Sequence, residues 1–233
     1  MIKIENTEIY GWETAIRGMR NPMNSWDKSD SFMCDIEHCN ETCKNFELRQ
    51  CEYTDGIKIG KNDLALMKKL INAGSDHRKF LRMIVVTCDI TAPLYWWKEF
   101  DTYKVGTVRN SCSTMHKITE KRFNIDDFSH EHLINGYDSR LAWGDVVPEM
   151  TLETIINALN FYRQKYLEDK NKDYWWQIIQ LLPSSYNQKA TVQLNYEVLL
   201  NIYQGRKNHK LDEWQDFCKW VQTVPYGDLI TSI

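Results

Sequence analysis

The sequence predicts an α+β fold, a mixed sheet with flanking helices and a helix-rich C-terminal half. Three observations predict it. The N-terminus alternates apolar and polar residues, residues 80–90 are β-branched in their middle and stop before Pro93, and apolar residues recur at helical spacing through much of 151–221. At 233 residues one compact domain spanning 1–233 is expected, with two small ones the alternative.

In chain order, Ile2 and Ile4 alternate with Lys3 and Glu5, which reads as an opening strand across residues 1–10. A helix is expected from Asn62, because Leu64, Met67 and Ile71 share a face, Leu66 and Leu70 flank it, and Gly74 suits a left-handed C-terminal cap. The run Phe80 to Ile90 reads as a central strand. Pro93 then fits the first turn of a helix through Leu94, Trp96, Trp97 and Phe100. Thr151 reads as the cap of a helix carrying Leu152, Ile155, Ile156, Leu159, Tyr162 and Tyr166. Further helices are expected at Tyr174 to Leu182, ended by Pro183, then at Tyr196 to Tyr203 and at Leu211 to Val221.

Ten glycines and five prolines are about half the usual share, which disfavours disordered and collagen-like architectures. Nine tryptophans, twelve tyrosines and eight phenylalanines need a core, an interface or a ligand to stack on. Trp96-Trp97 and Trp175-Trp176 put adjacent indoles on different helix faces, which predicts that both members of a pair cannot enter one core and that subunit contacts use the rest. A net charge of −3 gives no global attraction to nucleic acid or anionic membranes. The opening MIKIENTEIY is charged where a signal peptide needs an apolar run, and no stretch approaches a membrane span. A soluble, cytoplasmic protein without membrane or nucleic-acid partners is expected.

Seven cysteines without a secretory signal point to reduced thiols. Four of them cluster with a histidine (Cys34, His38, Cys39, Cys43 and Cys51) at spacings that lack the C-x2-C knuckle of a zinc site; ordinary thiols are the leading reading and zinc the alternative. Residues 98–122 carry six cations (Lys98, Lys104, Arg109, Lys117, Lys121 and Arg122) against Glu99, Asp101 and Glu120, interleaved with hydroxyl donors such as Thr107 and Thr114. Cations with short donors are what an oxyanion pocket needs, whereas a solvated surface loop is the plain alternative. His130-Glu131-His132 offers imidazole and carboxylate together, but capping of a short helix accounts for it more simply. No P-loop, G-x-G-x-x-G, H-E-x-x-H or G-x-S-x-G occurs.

The order of these features resembles the flavin-dependent thymidylate synthases over residues 60–225, with 1–60 a divergent N-terminal portion. In that family a Gly-His turn precedes a strand and a helix ending in Arg-His-Arg, followed by seven intervening residues and then a Ser; Leu-Pro, an Asn and an Arg follow. Here Gly74-Ser-Asp-His77 precedes the strand, Thr102-Tyr103-Lys104 stands at Arg-His-Arg, and Cys112 at the Ser. Asn195 lies twelve positions after Pro183, and Arg206 eleven beyond that; His209 and Glu213 continue the pattern if one residue is deleted.

The resemblance implies binding of FAD across the contacts of a homotetramer, with dUMP stacked on the flavin. It further implies methylation of dUMP to dTMP, with methylenetetrahydrofolate as carbon donor and NADPH as reductant. It places His77, Asn195 and Arg206 at the cofactor, Lys104 and Cys112 at the reacting centre, and Thr107, Arg109 and Thr114 at the substrate phosphate. Cys112 then reads as a small buried replacement for serine, or as a thiolate adding to the pyrimidine ring. Losing Arg and His from the signature removes a bidentate phosphate clamp, which a lone Lys does not replace. A non-enzymatic nucleotide-binding or assembly protein on the same fold is the alternative.

Overall fold

The computed structural model describes residues 2–33 and 57–232. The zinc candidates Cys34, His38, Cys39, Cys43 and Cys51 lie outside the described residues. In order, the elements are β1 (Lys3–Tyr10), α1 (Trp12–Arg20), β2 (Phe32–Met33), β3 (Ile57–Lys58), α2 (Lys61–Asn72), β4 (Val85–Pro93), α3 (Leu94–Phe100), β5 (Val108–Ser111) and α4 (Thr114–Lys117). They continue with α5 (Pro148–Asp169), α6 (Lys172–Leu181), β6 (Asn187–Asn195), α7 (Tyr196–Arg206), α8 (Asp212–Thr223) and α9 (Asp228–Thr231). The fold is α+β, as the sequence predicts. Four strands form an antiparallel sheet in the order β1-β4-β6-β5, and β2 pairs with β3.

The chain divides into two compact units. The first comprises Met1–Lys3, Ile90–Thr102 and Asn110–Ala190. Its core joins Ile118, Phe123 and Phe128 to the inward faces of α5 (Leu152, Ile156, Leu159) and α6 (Ile178). Pro148 opens α5 with Val147 as its N-cap, so the helix starts earlier than the Thr151 cap expected from sequence. Thr151 instead lies inside the first turn, and its hydroxyl donates back to the Val147 carbonyl at 2.9 Å.

The second unit comprises Ile4–Asp89, Tyr103–Arg109 and Thr191–Ile233. Its central helix is α7, buried at Tyr196, Glu197, Val198, Leu199, Leu200, Ile202 and Tyr203, and packed against α8, α9 and the short 3-10 turn Lys79–Met83. A helix apolar on most sides belongs in a core. α1 packs on the same turn, and Gly11 just before it has φ +91°; a Cβ there would fall 2.1 Å from the Met83 carbonyl oxygen. That backbone and that space admit only glycine.

Three further expectations change. The run from Phe80 is not all strand: Phe80 and Leu81 are buried in the 3-10 turn and β4 begins at Val85, because a continuous apolar run carries no period that separates the two. Pro93 ends β4 and caps α3 from outside the helix. Trp96 and Trp97 are both buried, with ring centroids 5.0 Å apart and edge-to-face, and the Trp97 indole N–H donates to the Gln188 carbonyl at 3.0 Å. The one-faced picture of a helix fails for α3, which buries both indoles. Trp176 does remain 42% exposed beside Trp175.

Candidate functional site

α7 organises the positions that the sequence singles out in the second unit. Residues 187–195 alternate, with Ala190, Val192 and Leu194 buried, and so form β6; Asn195 closes it and caps α7, its side-chain oxygen accepting the Val198 amide at 3.0 Å. The turn Tyr103–Arg109 folds onto this helix start. Its Gly106 has φ +82°, and a Cβ there would meet Val198 Cγ2 at 3.2 Å and Asn195 Nδ2 at 3.4 Å, so the backbone approaches as closely as glycine permits. The Thr107 hydroxyl donates to the Tyr103 carbonyl at 2.8 Å and its amide to the Lys104 carbonyl at 3.2 Å, which leaves Lys104 exposed at the apex. Arg109 is exposed on β5.

At the other end of α7, Arg206 Nε donates to the Tyr103 hydroxyl at 3.0 Å. The guanidinium lies 4.7 Å from the ring centroid of buried Trp214 and 5.6 Å from that of Tyr103. His209 sits edge-on to the same indole at 6.4 Å. Arg206 is therefore held in one orientation, and the tyrosine standing at the family's histidine position is one of the residues that holds it.

A charged cluster that sequence reasoning missed flanks the first turn of α7. The Glu197 carboxylate, almost buried, accepts from Arg78 Nε at 3.4 Å and from Arg82 Nε, while Arg78 also reaches the Asn201 amide oxygen at 3.3 Å. His77 precedes this pair on an exposed turn, its amide donating to the Gly74 carbonyl at 3.1 Å. The only signal in the sequence was the Arg directly after His77; its carboxylate partner is 119 positions away.

Cys112 and Thr114 belong to the first unit, where they line a cleft of about 230 Å³ with Lys117, Lys121, Arg122 and Lys189. Cys112 is exposed, not the buried serine substitute expected. Its amide donates to the Lys189 carbonyl at 2.9 Å and its carbonyl accepts from Gln188 Nε2 at 2.8 Å, so the thiol is displayed from a fixed backbone. Tyr186 closes one wall, and burial, with Asp127 and Cys112 nearby, pushes its phenol up and keeps it a neutral donor. The cationic segment 98–122 is thus divided: Lys104 and Arg109 in the second unit, the remaining four cations in the first.

His130-Glu131-His132 caps no helix, contrary to the expectation, and lies on a turn closed by the Leu133 amide donating to the His130 carbonyl at 3.0 Å. Glu131 accepts from the Ser129 hydroxyl at 2.8 Å and the His130 amide at 3.0 Å, and His130 Nδ1 contacts the Phe128 carbonyl at 2.8 Å. Among the described residues no group of three or more His, Cys, Asp or Glu side chains is placed to hold a metal, and no helix is long and apolar enough to cross a membrane.

No family model and no curated protein matches the chain. Solved structures do. A flavin-dependent thymidylate synthase ThyX from Helicobacter pylori, complexed with FAD and dUMP, aligns at 16% identity and TM-score 0.62, covering 98% of this chain and 97% of that one. A second Helicobacter pylori ThyX structure with FAD and dUMP aligns at 16% identity and TM-score 0.63, covering 99% and 97%. A UMP/dUMP methylase PolB from Streptomyces cacaoi, bound with 5-Br dUMP, aligns at 13% identity and TM-score 0.59, covering 100% and 96%. The chain has the fold of the flavin-dependent thymidylate synthases.

Proposed function

We propose that this chain binds FAD and a uracil nucleotide such as dUMP, and methylates the nucleotide to dTMP with methylenetetrahydrofolate and NADPH as co-substrates. The supporting observation is the agreement in fold, along nearly the whole chain, with proteins solved with FAD and dUMP or a dUMP analogue. A homotetramer belongs to the same proposal.

The donor set around α7 fits a flavin dinucleotide. Arg78 and Arg82 against the single carboxylate of Glu197 leave one net positive charge, Lys104 adds an exposed cation, and Asn195 contributes a carboxamide whose oxygen is already committed to the cap. These groups suit a diphosphate, for which charge-assisted hydrogen bonds count most. His77, Asn195 and Arg206 would hold the cofactor, which supplies the hydride chemistry. Arg206 arrives pre-oriented by Tyr103 and Trp214, so little side-chain entropy is lost when it meets an anion. For the substrate phosphate, Thr107 and Arg109 are the second unit's candidates and Thr114 the first unit's. Lys104 is the second unit's candidate for the reacting uracil, and Cys112 the first unit's.

A second reading is a nucleotide-binding or assembly protein without turnover. The observation favouring it is the Arg206–Tyr103 hydrogen bond: the residue at the signature's histidine position is engaged inside the chain. The two readings separate on incubation with FAD, NADPH, methylenetetrahydrofolate and dUMP. Formation of dTMP supports the enzyme; retained flavin and nucleotide without dTMP supports the second reading; no retention of either ligand contradicts nucleotide binding altogether.

A further inference from the structure

We propose that the cleft in the first unit is a phosphomonoester pocket, in which Lys121 and Arg122, with the Thr114 hydroxyl, bind the oxyanion. The inference deepens the nucleotide reading above and rests on it for the identity of the ligand as a uracil nucleotide. The charge balance of the cleft comes first: its lining carries Lys117, Lys121, Arg122 and Lys189 against one carboxylate, Asp127. Glu120 pairs with Lys117 at 2.5 Å, and the balance stays positive with it included.

The cations are also placed, not scattered. Asp127 caps the turn that begins at Asn124, accepting the Asn124 amide at 2.9 Å through one oxygen and Lys121 Nζ at 2.5 Å through the other. The cap therefore holds Lys121 at the cleft. Arg122 follows it directly and makes no ion pair among the described residues. A planar guanidinium beside a lysine offers the fork and point charge that a phosphate takes up together. Ile118 and Phe123 are the buried apolar members of the lining, and the cations stand at its exposed side. At about 230 Å³ the cleft is small for a drug-sized ligand and suits a phosphate with the sugar attached to it.

Cys112, exposed in the same cleft, is a reporter for occupancy. The test is the rate at which iodoacetamide labels Cys112 in the full-length protein, followed by mass spectrometry of its peptide, with and without inorganic phosphate or dUMP. Both ligands are expected to slow labelling by roughly fivefold or more, and Lys121→Gln with Arg122→Gln to reduce that protection to less than about twofold. Lys98→Gln, in the same sequence segment but outside the cleft, keeps full protection. Protection that persists unchanged in the double variant overturns the pocket. If dUMP raises the thermal midpoint but neither ligand slows labelling, the pocket fails and the nucleotide reading stands. If inorganic phosphate protects while dUMP neither protects nor stabilises, the pocket stands and the nucleotide reading fails.

Discussion

Arg206 donates to the hydroxyl of Tyr103 at 3.0 Å, joining the last residue of α7 to the residue that occupies the histidine position of the signature. The phenol is the acceptor and the guanidinium the donor, so the bond is charge-assisted. Tyr103→Phe keeps the ring under the cation and removes only this bond; it is expected to cost about 1–2 kcal/mol in chemical denaturation. Arg206→Ala also abolishes the stack on Trp214 and should cost more than Tyr103→Phe. Equal losses in the two variants would mean that the stack contributes nothing.

Asp63 is fully buried and accepts five hydrogen bonds: from Arg20 Nε at 2.6 Å, the Ser29 and Ser31 hydroxyls at 2.8 and 2.6 Å, and the Asp30 and Ser31 amides at 3.1 Å each. Burial alone would raise its pKa, but the donations from Ser31, Ser29, Arg20 and Asp30 outweigh it and hold the carboxyl below its ordinary 3.8. A folded-state pKa below the unfolded one gives stability that is present above pH 3.8 and lost as pH falls through the folded value. Asp63→Ala leaves Arg20 buried and unpaired and is expected to cost about 3–5 kcal/mol at pH 7. Unfolding curves of variant and parent should converge as the pH is lowered; a difference that stays constant with pH would contradict the ionised state of Asp63.

Thiol reactivity separates three cysteines. Burial, with Asp89 adding to it, pushes Cys88 up to about 12, and burial pushes Cys218 up to about 11 against the opposing effect of Arg206. Neither forms an appreciable thiolate at pH 8, whereas Cys112 is exposed. Native protein should be alkylated at Cys112 and spared at Cys88 and Cys218 until denaturant is added. Early labelling of Cys88 would show that β4 opens in the native state.

Gly11→Ala forces a side chain into a left-handed backbone and against the Met83 carbonyl, 2.1 Å from the new Cβ. A loss of more than about 2 kcal/mol in thermal or chemical unfolding is expected. Gly74→Ala has an equally positive φ of +104° but open space around it, so it should cost only the strain, about 1 kcal/mol. A Gly11 variant no worse than the Gly74 variant would contradict the close packing of α1 on the 79–83 turn.

Helices α2 and α5 were legible because their apolar positions follow a helical period, and the fold class followed in part from them. β6 was also written in the sequence, as Ala190, Val192 and Leu194 at every second position, but Lys189, Thr191 and Gln193 between them dilute its hydrophobicity to that of a loop. Asn195 and Arg206 stood out by spacing, and the structure gives each a local partner through α7. Pairs such as Arg78 with Glu197 and Arg20 with Asp63 left no trace, because partners 119 and 43 positions apart are joined only by the folded chain. The cleft around Cys112 was half visible: Lys117, Lys121 and Arg122 lie close in sequence, while Tyr186 arrives from just before β6 and Lys189 from within it.

Equilibrium dialysis of labelled dUMP against the protein preincubated with FAD tests the nucleotide reading most directly. Saturable binding near one nucleotide per chain, at about micromolar to submillimolar affinity and strengthened by retained flavin, is the result expected. No saturable binding of dUMP, with or without FAD, would contradict it.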